Sequence, residues 1–174
     1  MPATSWLHVY ARVPGNLSMW AGSVFGHFAG KRLVRYQWLM IVLWWSAYEA
    51  LLTTIGNTHF ALLFFVLWMV ARVPVFHAIT IFHEMTGHYG LAQRGIFRTT
   101  REIPERGLIS LLIHPHRHGY HLTHHLIPHI PYFHLHTLHS YLIQIPLFNQ
   151  RASVCDGYLN GTHASVECWG ARHA

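Results

Sequence analysis

Apolar positions dominate residues 36–71, where Glu49 is the one charged residue in 36 positions. A helix crosses a hydrocarbon core with about 20 apolar residues. The stretch therefore predicts two passes, residues 36–55 and 58–76, joined at Gly56-Asn57, a turn signal. The runs Trp38-Leu39-Met40-Ile41-Val42-Leu43-Trp44-Trp45 and Ala61-Leu62-Leu63-Phe64-Phe65-Val66-Leu67-Trp68 are apolar all round. That suits lipid contact better than a soluble amphipathic helix. Lys31, Arg32 and Arg35 precede the first pass, Arg72 follows the second, and the turn holds no cation. The positive-inside rule then places both ends of the hairpin in the cytoplasm. Residues 1–30 lack the features of a signal peptide. Within them, residues 19–29 are apolar, Gly-interrupted and too short to span, and read as an interfacial segment.

After residue 76 the pattern changes. Residues 77–139 hold 13 of the 18 histidines, ten of them between His114 and His139. Residues 150–174 are rich in Gly, Asn, Ser and Asp and read as a polar tail. Four segments result: 1–35 interfacial, 36–76 transmembrane hairpin, 77–149 His-rich, 150–174 tail. The expected fold is all-α, a helical integral membrane protein whose hairpin precedes a cytoplasmic His-rich helical region. Composition supports this, since 10% charged residues against 52% apolar is far below a soluble domain's roughly 25% charged. The net charge of +6 is too dilute to point to nucleic acid. Cys155 and Cys168 form neither a metal-type pair nor a disulfide framework.

The histidines fall into two constellations. In His83-Glu84-Met85-Thr86-Gly87-His88 the imidazoles are five apart, about 140° on a helical wheel. A zinc-protease helix needs them four apart on one face, so that reading fails. Glu84 and His88 share a face. In His121-Leu122-Thr123-His124-His125 the spacings of three and four put three imidazoles on one face, able to converge on metal, and Pro128 and Pro131 end the helix beyond. Imidazole suits iron, zinc, copper and nickel. His114, His116 and His118 alternate, as do His134 and His136, and none stands out individually. Arg94, Arg98, Arg101 and Arg106 fit the positive-inside charges of a cytoplasmic loop; gripping an anionic head group or carrier phosphate is the alternative.

Residues 119–132, Gly-Tyr-His-Leu-Thr-His-His-Leu-Ile-Pro-His-Ile-Pro-Tyr, followed by Leu135 and His139, resemble the third histidine box of the membrane fatty acid desaturase superfamily. Glu84 to His88-Tyr89-Gly90 resembles the family's upstream ligand element, and Arg98-Thr99-Thr100-Arg101 its R-T-x-R segment. The resemblance covers residues 36–142 and implies a non-haem diiron centre using O₂ and two electrons to remove hydrogens from an acyl chain. It implies His88, His121, His124 and His125 as iron ligands, with Glu84 as hydrogen-bond acceptor behind them. It also implies membrane lipid, an acyl-chain substrate and an electron donor (ferredoxin or a b-type cytochrome). Residues 1–76 supply neither of the family's two earlier boxes, and His136 stands where the family has Pro. The chain thus reads as the C-terminal half of a desaturase, completed by a missing N-terminal half. A non-catalytic metal-binding relic of that fold, or a hydroxylase or ketolase of the same superfamily, remain the alternatives.

Overall fold

A computed structural model describes residues 3–12, 35–92, 94–104 and 107–170. The interfacial segment 19–29, Lys31, Arg32, Arg106 and His173 lie outside the described residues. The chain divides into two compact units, residues 14–78 and residues 1–13 with 79–174.

In the first unit, α2 (Arg35–Gly56) and α3 (Thr58–Val70) form the hairpin. Asn57 turns the chain at φ 109° and caps α3, its side chain accepting from the Phe60 amide at 3.0 Å. Trp45 meets Trp68 at 4.5 Å and Tyr48 meets Phe64 at 5.4 Å between ring centroids, so aromatic contacts zip the two helices together. Most other apolar side chains are exposed; Leu39, Leu43, Leu62, Leu63 and Leu67 are all more than half so. Two helices, Tyr36–Gly56 and Thr58–His88, are long and apolar enough to cross a membrane. The second is continuous because a π-helical turn, Ala71–Val75, absorbs Pro74. Proline has no N–H to give the ladder, and the wider turn lets the Phe76 amide reach the Ala71 carbonyl instead.

The other unit holds α1 (Ala3–Arg12), most of α4 (Phe76–His88), α5 (Ile96–Thr99), α6 (Leu108–Ile113), α7 (His121–Leu126), α8 (Leu135–Leu142) and α9 (Pro146–Arg151). Two-residue strands β1 (Arg101–Glu102) and β2 (Ser153–Val154) pair in parallel, Arg101 with Ser153 and Glu102 with Val154. On the other flank of β1 the Ile103 amide donates to the Gly119 carbonyl at 2.7 Å. Trp6 and Tyr10, one turn apart on α1, meet Phe82 and Trp169 edge-on or tilted at 5.5–6.5 Å.

The segment expected to be a polar tail is instead half of this core. Cys155, Tyr158, Ala164, Val166 and Trp169 are all buried beside Ile81, Phe82 and Met85. Its polar residues close a loop: the Asp156 carboxylate accepts from the Thr162 amide and hydroxyl and the His163 amide at 2.9–3.1 Å. Sparse aromatic and aliphatic residues between them do the burying.

Candidate metal centre

The site is built where α4 faces α7. The carbonyl of Thr99 accepts from His88 Nδ1 at 2.7 Å, which leaves the Nε2 lone pair of His88 directed away. His121 Nε2 lies 2.8 Å from that atom, and His125 Nε2 lies 3.3 Å from His121 Nε2. One nitrogen from each of these three imidazoles falls within 4.8 Å of the others. Nitrogens bound to one ion at about 2.1 Å and at right angles sit about 3.0 Å apart, so a ligand set could take this spacing. Gly87 eases the approach: a Cβ there would lie 3.2 Å from Cδ2 of His121, a contact the ring would have to relieve by a few tenths of an ångström.

The electrostatics fit the same use. Burial pushes His121 down to about 2, with repulsion from His88, His125, His114 and His83 adding to it. Burial likewise lowers His125 and His118. Metal ligands must be unprotonated, and these rings are held neutral. The cluster is all nitrogen, and no thiol or carboxylate belongs to the close group.

A second set of imidazoles continues from the first. His83 donates through Nδ1 to the Ile113 carbonyl at 2.7 Å, the same arrangement as His88. Its ring lies 4.4 Å from His114, 5.6 Å from His118 and 6.1 Å from His121. His124 points to this side, 5.9 Å from His118 and 5.8 Å from His125 between centroids. His114 is 2% exposed, pairs with the Tyr158 hydroxyl at 2.7 Å, and is pushed down to about 3 chiefly by burial and next by His83. Glu84 is exposed and forms no hydrogen bond among the described residues, though its charge acts on His118 and His125. The acceptors behind the rings are the carbonyls of Thr99 and Ile113.

Two neighbouring residues register the histidine helices. Strand side chains alternate, and Arg101 and Glu102 take opposite partners. Arg101, 1% exposed, donates to the carbonyls of Thr86 at 3.2 Å and Tyr89 at 2.6 Å, capping the C-terminal end of α4. Gly90 then turns the chain at φ 75°, against the Cys168 carbonyl. Glu102, fully buried, accepts from the Thr123 amide at 2.9 Å and hydroxyl at 2.6 Å, and from His139 Nδ1 at 2.9 Å. Arg101 is therefore not a loop charge facing solvent: the carbonyls at the end of α4 replace its water.

Of the residues singled out from sequence, His88, His121 and His125 come together, His124 lies on the flank, and Glu84 lies outside. His83, His114 and His118, together with Arg101 and Glu102, were not anticipated. The H-x₄-H spacing was the signal for His83; nothing local signalled the others.

The chain is mostly helical, with two helices long and apolar enough to cross a membrane and a cluster of imidazoles that could hold a metal ion. The fatty acid desaturase family model matches residues 2–152, and the chain belongs to that family. The match extends beyond the 36–142 expected from the motifs. No curated protein and no solved structure matches the chain.

Proposed function

We propose that the chain is the iron-bearing part of an oxygen-dependent diiron desaturase of acyl lipids. The observation that carries this is the convergence of His88, His121 and His125 in a member of this family. His88, His121 and His125 hold one iron, and His83, His118 and His124 are the imidazoles at hand for the other. Iron supplies what these side chains lack, a redox-active centre at which O₂ and two electrons can abstract hydrogen from an unactivated carbon. The protein's part is to keep His121, His125 and His118 neutral by burial, to fix His88 and His83 through the carbonyls behind them, and to hold α7 against α4. Two irons call for more donors than these six imidazoles, so full activity needs ligands beyond them. The substrate is an acyl chain within or beside the membrane, electrons come from a ferredoxin or b-type cytochrome, and the site faces the cytoplasm.

Metal analysis of the chain purified from membranes tests the reading. Iron is expected, lost in His88→Ala, His121→Ala and His125→Ala and kept in His134→Ala, whose side chain is exposed. Stoichiometric zinc without iron would overturn it, because zinc has no redox chemistry.

A further inference from the structure

Away from the imidazoles, a surface cavity of about 470 Å³ is lined by the exposed residues Arg94, Arg98, Gln150 and Arg151 together with Phe97. Among the described residues no carboxylate lines it, and none of the three guanidiniums is in an ion pair. Like charges gathered round a concave, partly apolar wall repel one another and focus positive potential into it. Their placement is held by the core. Phe97 packs edge-on against Phe148 at 6.2 Å, and Phe148 is 2% exposed. That contact fixes α5, which carries Arg98, against α9, which ends in Arg151, although the two lie some fifty residues apart in sequence. Arginines from two separate elements, with a third arginine and a glutamine lining the same cavity, supply the donor chemistry that the several oxygens of a phosphate group take, which arginine grips bidentately. The pocket also adjoins the metal centre's support. Thr99, next to Arg98 on the same short helix, is the residue whose carbonyl holds His88.

We infer that this arginine pocket binds a phosphate group, carried by a lipid headgroup or by a soluble phosphate ester. The binding requires no metal, so its failure and that of the proposed desaturase reading are separable.

The test uses the full chain in nanodiscs. The probes are inorganic phosphate and coenzyme A added to phosphatidylcholine discs, and phosphatidic acid built into the discs; binding is followed by ³¹P NMR and by thermal shift. Saturable binding of at least one probe is expected. Each of Arg98→Gln and Arg151→Gln should weaken it roughly ten- to hundredfold, the range for a lost charge-assisted bond. Arg98→Lys, which keeps charge but loses the fork, should fall between. Arg117→Gln removes the same charge from an exposed residue outside this pocket and should leave affinity unchanged. Saturation by phosphatidic acid alone assigns a lipid headgroup, and by coenzyme A or phosphate a soluble ester. Equal weakening in Arg117→Gln would show diffuse charge attraction and overturn the pocket, as would no saturable binding of any probe.

Discussion

The clamp at Glu102 makes a sharp prediction. In Glu102→Gln the side chain keeps its shape and loses its charge. The carboxylate now serves three donors, the Thr123 amide, the Thr123 hydroxyl and His139 Nδ1. An amide nitrogen placed at Oε2 faces the Thr123 N–H, and one placed at Oε1 faces the Thr123 hydroxyl and His139. Either way a buried donor is orphaned or turned against another donor, costing about 1–3 kcal/mol. The remaining bonds lose their charge assistance, about 1 kcal/mol each. The sum is about 3–5 kcal/mol, a fall in melting temperature of roughly 10 °C for a chain of this size. Because Thr123 sits between His121 and His125, metal affinity should fall too. The assay is a thermal melt of the detergent-solubilised chain alongside a cobalt titration, with exposed Glu167→Gln as reference. A melt within about 2 °C of the parent would refute the clamp's energetics. A lowered melt with undiminished cobalt affinity would refute its role in aiming the ligands.

Acid should destabilise the fold through its buried imidazoles. His114 and His121 lie below their ordinary value in the folded chain, so the unfolded chain binds more protons once the pH drops below about 6.5. Stability is complete above that pH and is lost on the way down toward 3. At about pH 5 each ring should cost about 2 kcal/mol, and His114→Gln should flatten the dependence seen in pH-resolved melts. Hydrogen bonding from Cys155, with Arg101 close by, pushes the Cys168 thiol down to about 6, whereas the same contact and burial push Cys155 up. Iodoacetamide at neutral pH should therefore alkylate Cys168 well ahead of Cys155 by peptide mass spectrometry; equal rates would contradict the pairing. Gly87→Ala should leave the melting temperature level or higher, since alanine favours a helix by about 1 kcal/mol. Its Cβ should nonetheless crowd His121 and lower cobalt affinity, so unchanged affinity would show that the glycine does not make room for the ring.

The membrane-length helices were legible because a helix in lipid satisfies its own backbone and needs only length and hydropathy. The π-helical turn was not, yet it is a local answer to Pro74 and it carries the second helix on to His88. The C-terminal segment misled for the opposite reason. Its composition is that of a loop, and the polar residues do form one around Asp156. Its burial rests on a few large residues whose partners, Trp6 on α1 and Phe82 on α4, are distant in sequence. No local pattern encodes such contacts.

In the site, helical spacing anticipated the approach of His125 to His121, which lie one turn apart. The wheel angle of about 140° between His83 and His88 spoke against a zinc-protease pair, and His83 lies outside the close group of His88, His121 and His125. Long imidazole arms on either side of Gly87 reach round to the ring of His121, at 6.1 and 4.7 Å between centroids. What brings α7 to that position is a pair of charges, of which Arg101 looked like loop solvation and Glu102 gave no signal. Charged residues are almost never fully buried unless partnered, and Arg101 and Glu102 are buried side by side. Strand alternation turns them to opposite faces, so each must find its own partners. The groups within reach are the carbonyls at the end of one histidine helix and the amide and hydroxyl in the first turn of the other. The separation of the two histidine helices is thereby set by a two-residue strand, whose own side chains, Arg101 and Glu102, lie outside both histidine motifs and reach into each, to Thr86 in one and Thr123 in the other.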